Sequence, residues 1–213
     1  MGKLYLLTNL TFLILLLIAD LSLLGQPSNL WQLARDRDGV EVYIHRAVDR
    51  QVKGFKATTT VNTSMEDLET ILDNVDEYPN WHAGVKHAKK ILKKTEETFY
   101  VLVKTNSAWP AKDQELTWFV NKHWDKSEGS LFYDQICSLN VSAEKKVNEQ
   151  IPQAWGGWRL RELESGEVEI QYILSADQGG KIPTWLINIL SVENPYKTLC
   201  NLKDLADDLK SNP

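Results

Sequence analysis

Between residues 40 and 176 apolar positions alternate with polar ones in short runs, whereas beyond residue 184 they recur every three or four positions. Val40, Val42 and Ile44 alternate with Glu41 and Tyr43, the period of a half-buried strand. The same period predicts strands over 53–61, 86–92, 98–104, 115–124, 130–139, 155–163 and 168–176, with turns at Asp38-Gly39 and over 164–167. It also assigns faces. Val101 and Val103 lie opposite Lys104, Leu116, Trp118 and Val120 share a face, and Ile170, Tyr172 and Leu174 lie opposite Glu169 and Gln171. Residues 30–34 read as a short helical turn, and Gly156-Gly157 as a bulge in its strand.

Two helices interrupt this plan. Thr63, with Glu66 three residues on, predicts a capping box, and Met65, Leu68, Ile71 and Leu72 supply the helical spacing behind it up to about Asp73. Tyr78-Pro79 then breaks the chain before the next strand. The second helix is long, with Trp185, Ile189, Val192, Tyr196, Leu199, Leu202, Leu205 and Leu209 forming one apolar stripe. Gly179-Gly180 permit a sharp reversal into it and Pro183 suits its first turn. Pro195 removes the bond to Ser191 and predicts a kink. A stripe of that length must be buried, and the strands are its available partner. The expected class is therefore α+β, a curved antiparallel β-sheet wrapped around a long C-terminal α-helix.

The first 25 residues change the picture of the whole chain. Lys3 precedes an apolar run over 10–19, followed by Asp20 and a second apolar patch over 21–24, which resembles an export signal. The run is shorter than the roughly 20 apolar residues a spanning helix needs. No small-x-small cleavage pattern precedes Gln26. Residues 1–25 are thus expected to be a signal peptide or an N-terminal membrane anchor, and residues 26–213 one binding domain, periplasmic or extracellular. A net charge of -5 over 213 residues argues against nucleic acid and against anionic membrane surfaces as partners. Membrane contact is expected to be transient or to run through the N-terminal segment, and the protein to be a monomer. The two cysteines, Cys137 in a strand and Cys200 on the apolar side of the long helix, read as buried small hydrophobes rather than as a disulfide.

Candidate chemistry is sparse. His45, His82, His87 and His123 lack zinc-ligand spacing and read as solvated or strand-edge histidines, and the chain carries no nucleophile elbow, phosphate loop or dinucleotide fingerprint. Carboxylates scatter over turns and polar faces without nominating an acid–base pair. No catalytic residue, metal or cofactor is expected. The 8 tryptophans stand out, with Trp81, Trp109, Trp118, Trp155, Trp158 and Trp185 in or beside the expected sheet and long helix. Core packing and the lining of a pocket explain them equally well, since both place apolar walls and a few polar groups such as Tyr172 and Gln135 on inward faces.

Leu30-Trp31, Asp38-Gly39-Val40, Val42-Tyr43, Tyr78-Pro79 with Trp81, and Trp109-Pro110 with Asp113, Glu115 and Leu116 come first in one ordered series. Gly157-Trp158, Tyr172, Ala176-Asp177, Gly179-Gly180, Ile182-Pro183, Trp185-Leu186 and Asn188 complete it. Their order and spacing resemble the START (steroidogenic acute regulatory protein related lipid transfer) domain in its bacterial form, over about residues 30–209. The resemblance implies a helix-grip fold with a tunnel for a lipid or other hydrophobic ligand between sheet and helix, and non-catalytic binding with transfer as its extension. The expected lining is Trp81, Val101, Val103, Trp109, Leu116, Trp118, Trp158, Tyr172, Leu174, Trp185 and Ile189. Family members often carry arginine after the Trp-Pro pair, where this chain has Gln114. A head-group contact through that position is therefore not implied. Two other readings stay open. One is a polyketide cyclase or aromatase of the same fold, with Tyr172 or Glu115 as acid or base; the other is an envelope interaction module whose cavity is filled by its own side chains.

Overall fold

The computed structural model describes residues 31–46, 52–106, 113–138, 154–176 and 184–211. Residues 1–25, Trp109, the Gly179-Gly180 reversal and Pro183 lie outside them. The alternating runs become nine strands among the described residues: β1 (Trp31–Arg37), β2 (Val40–Arg46), β3 (Val52–Val61), β4 (Val85–Lys93), β5 (Thr98–Thr105), β6 (Glu115–Asp125), β7 (Ser130–Ser138), β8 (Ala154–Glu162) and β9 (Val168–Ala176). All pair antiparallel in one sheet, ordered β1-β2-β3-β9-β8-β7-β6-β5-β4. After β3 the chain crosses to the far edge and meanders back, so that β9 closes against β3.

Two local expectations fail here. Of the helical turn expected over 30–34, residues 31–34 are instead the start of β1, which pairs along its length with β2. As an edge strand with only Trp31 and Arg35 half-buried, it buries too little for alternation to mark it. The turn after it has positive φ at Asp38 (55°) and Gly39 (72°), the backbone that matches strand twist in a two-residue hairpin. Gly156-Gly157 is no bulge, because both residues pair without a register shift on either side. Gly157 has φ 139°, and a Cβ there would lie 1.7 Å from the Tyr133 carbonyl oxygen. Glycine lets the neighbouring backbones close.

Between β3 and β4 lie α1 (Met65–Asp73), a 3₁₀ turn (Val75–Glu77) and α2 (Tyr78–Trp81). The cap of α1 is Ser64 rather than Thr63. Ser64 Oγ accepts from the Asp67 backbone N–H at 3.0 Å, while the Ser64 and Thr63 hydroxyls donate to Asp67 Oδ2 at 2.6 and 3.1 Å. Pro79 does not break the chain but sits in the first turn of α2, where its missing N–H has no helical partner to lose. Met65, Leu68, Ile71 and Leu72 are buried as their spacing predicts.

The C-terminal helix is composite: α3 (Thr184–Asn188), a π-helical segment (Ile189–Glu193) and α4 (Asn194–Ser211). The Asn194 N–H bonds to the Ile189 carbonyl, five residues back, so the helix widens by one residue just before Pro195. The composite packs on β2 and β3 and against α1 and α2. Leu199 and Leu202 are fully buried, each stabilising the fold by about 1.5–3 kcal/mol. The stripe outlasts its partner, with Trp185 and Leu209 exposed at 44% and 43%. Lys122 of β6 binds α1 to the sheet, its Nζ 2.7 Å from both Glu69 and Asp73. Cys137 and Cys200 are free thiols, both half-buried. Among the described residues no helix is long and apolar enough to cross a membrane.

Candidate functional site

Strand register sorts the inner face of the sheet into transverse rows of graded burial. Val42, Ala57, Tyr172, Trp158 and Tyr133 form one row across β2, β3, β9, β8 and β7, all buried. The next row joins Phe55, Leu174, Gly156, Gln135, Val120 and Phe99, of which Leu174, Gly156 and Gln135 are half-buried and the others buried. Beyond it, Val101 pairs with Trp118 and Trp118 with Cys137, and then Val103 pairs with Leu116 and with Ala88. Of these six only Val101 is buried. One end of the inner face is a closed core. At the other, apolar side chains point inward yet keep accessible surface.

An aromatic cluster stands at the boundary. Trp158 and Tyr172, cross-strand partners, stack with ring centroids 4.1 Å apart. Trp81 of α2 approaches Trp158 at 5.9 Å and Tyr78 at 5.1 Å. The His82 imidazole is enclosed by Tyr78, Trp81, Trp158 and Tyr172, all within 6.1 Å between ring centroids. Helix α4 fixes this corner: Asn201 donates to the Trp81 carbonyl at 2.8 Å, and Thr198 Oγ1 accepts from the Ala83 N–H at 3.1 Å. Trp81 Nε1 is buried with no hydrogen-bond partner among the described residues, an omission of roughly 1–3 kcal/mol that purely structural cores usually avoid.

Burial dominates the electrostatics. It pushes the His82 pKa down to about 4, against a weaker opposing effect of backbone hydrogen bonding to Ala83. The imidazole is therefore neutral near pH 7, with Nδ1 3.2 Å from the Ala83 carbonyl, a pure acceptor. Burial likewise raises Tyr172, Tyr78 and the Cys137 thiol above their ordinary values. Among the described residues no group of three or more His, Cys, Asp or Glu side chains is placed to hold a metal ion.

Comparison of the whole chain with known proteins bears on this architecture. A STAR-related lipid transfer protein from Xanthomonas axonopodis superposes with a TM-score of 0.72 at 23% identity, covering 85% of this chain and 99% of that one. The fold is the START fold. Human StAR-related lipid transfer protein 5 shares it with a TM-score of 0.71 at 14% identity, covering 91% of this chain and 94% of that one. In sequence, an uncharacterized protein of Pseudomonas aeruginosa is 26% identical over 178 residues, 83% of this chain and 87% of that protein. No protein-family model matches the chain.

Within the START fold the expected lining residues divide into groups. Trp81, Trp158 and Tyr172 meet in the aromatic cluster, and Val101, Val103, Leu116, Trp118 and Leu174 share the inner face beside it. Ile189 is half-buried in the π segment, which lies against β2 and β3. Trp185 is exposed. Trp109 lies outside the described residues. Gln114 is exposed, its backbone tied to Thr105. His82, expected to be a solvated or strand-edge histidine, is instead enclosed by aromatic rings just after α2. A lone histidine carries no spacing signal, although its neighbours Tyr78 and Trp81 in the same short stretch offered one.

Proposed function

We propose that the protein binds a lipid or comparable hydrophobic molecule, without covalent chemistry, between the inner face of the sheet and the C-terminal helix. The burial gradient carries this reading. Leu160 and Ile170 are wholly buried, whereas Val103, Leu116, Trp118 and Leu174 on the same face keep accessible surface. His82 supports the same reading, since four aromatic rings surround it and yet the residue is only partly buried. Apolar surface left accessible costs about 25 cal/mol per Å², and an apolar chain laid over it gains about 0.8 kcal/mol per methylene. The lipid-transfer proteins that share the fold support the same reading.

The candidate acids and bases favour binding over catalysis. Glu115 is exposed at the start of β6, burial holds Tyr172 above the ordinary tyrosine range, and His82 is too weak a base near pH 7. The reading includes export directed by residues 1–25, with residues 26–213 as the binding domain; N-terminal sequencing of the exported protein tests that boundary. For the ligand, the purified protein is extracted with organic solvent and analysed by mass spectrometry. A hydrophobic compound in near-stoichiometric amount is expected. An empty extract, together with no uptake of fluorescent lipid from vesicles, would contradict the proposal.

A further inference from the structure

The outer face of the sheet carries a feature that the inner site does not use. Because Phe99, Val101, Val120, Tyr133 and Trp158 point inward, Tyr100, Phe119, Ile136 and Trp155 point outward. They are successive register partners: Leu92 with Tyr100, Tyr100 with Phe119, Phe119 with Ile136, and Ile136 with Trp155. The result is an unbroken apolar band across β4 to β8, about 19 Å wide at the usual strand spacing. Leu92 is 49% exposed, Ile136 56% and Trp155 54%. Single exposed hydrophobics are ordinary, but a contiguous row of them marks an interaction surface.

The charge beside the band is equally local. Residues 86–94 hold five lysines and no carboxylate, in a chain whose net charge is -5. Lys86 pairs with Asp113 and Lys93 with Glu96, and Lys90 lies over the Phe99 ring. Lys89 shares the outer face with Leu102, and Lys94 Nζ stands 5.3 Å above the Tyr100 ring and 5.8 Å from that of Phe119. Neither is in an ion pair among the described residues. On this face Asp134 faces His123 and Glu115 is opposite Lys104, while Glu96 in the β4–β5 turn is paired with Lys93.

We propose that this band and its lysine end dock the protein on the surface of an anionic phospholipid bilayer. Tryptophan and aliphatic side chains beside lysines are the composition that settles at a membrane interface, the apolar groups entering the headgroup boundary and the ammonium groups meeting phosphate. A second copy of the chain fits less well. Five side chains, two of them half-buried, offer less than the roughly 800 Å² per partner of a stable interface. The β4 edge also resists strand addition, being lysine-rich and interrupted by register shifts between Val85 and His87 and between Lys90 and Leu92. The whole-chain charge conceals this patch. The proposal stands without the internal ligand.

The test uses the full chain in flotation with phosphatidylcholine vesicles, with and without phosphatidylglycerol. Binding is expected to the anionic vesicles and to weaken with added salt. The variant Leu92→Ser/Ile136→Ser/Trp155→Ser should lose most of it while keeping its melting temperature. Lys89→Glu/Lys94→Glu should lose the preference for anionic vesicles, by on the order of fivefold or more per residue. Should the serine variant fail to fold, the lysine variant carries the test alone. No binding by the native chain overturns the proposal. So does unchanged binding by the variants, which would place the contact elsewhere, for example in residues 1–25. Conversion of a dimer to a monomer by the serine changes, with vesicle binding unaltered, would show that the band joins two copies.

Discussion

Protonating His82 would put a charge among four aromatic rings, and this couples stability to pH. Its folded pKa of about 4 lies below the 6.5 of an exposed histidine, so the unfolded chain takes up the proton first as pH falls. The contribution is whole above about pH 6.5 and is lost progressively toward about pH 4. Melting temperatures of the native chain and of His82→Gln across that range should diverge, the native chain falling more steeply. Parallel curves would mean that the ring titrates like a surface histidine. Gly157→Ala probes a second single-residue requirement, because its Cβ would meet the Tyr133 carbonyl and its φ of 139° strains any side chain. A loss of roughly 3 kcal/mol is expected from urea unfolding. A loss below about 1 kcal/mol would show that β7 and β8 relax easily there.

At the scale of elements, the β1–β2 hairpin holds the weak point of the C-terminal helix. Arg35 donates to both carboxylate oxygens of Glu193, at 3.1 and 2.5 Å, and its guanidinium lies 4.6 Å from the Tyr196 ring centroid. The Tyr196 hydroxyl in turn donates to Asp38, and Lys203 to the Asp38 carbonyl. Arg35→Ala should cost only about 1 kcal/mol, since the ion pair is partly solvated. Its signature is local: faster amide hydrogen exchange over residues 184–196, with Leu199 and Leu202 still protected. A uniform rise along the helix would argue against a latch at the π segment. The elements themselves were mostly legible in the sequence. Except for the edge strand β4, which has no fully buried residue, each strand from β2 to β9 buries one face, so alternation marks it; β1 buries almost nothing and leaves no such mark. Pro195 announced an interruption, but only three-dimensional packing decides that a π turn absorbs it. The capping motif was one residue out because Thr63 and Ser64 both bear hydroxyls and both engage Asp67.

For the molecule as a whole, the sheet and its gripping helix followed from the two periodicities, whereas the division of the inner face into packed and accessible halves did not. Leu160 and Leu116 look alike in a strand pattern, and only the position of α1 and α4 over one half of the sheet buries the first completely. Trp185 shows the same limit from the helix side, continuing the apolar stripe yet remaining exposed. The outer band was hidden for a related reason, as its members come from five strands and meet only through register. The central claim, that the inner face borders a space for a hydrophobic ligand, is tested most directly by filling that space. The measurement is the melting temperature of Val103→Trp beside the native chain, both freed of bound lipid. A hollow interior accommodates the indole, so the variant should melt at or above the native temperature. In a packed interior the same change overfills the core by about 1–3 kcal/mol, or several degrees of melting temperature, and that result would contradict the account.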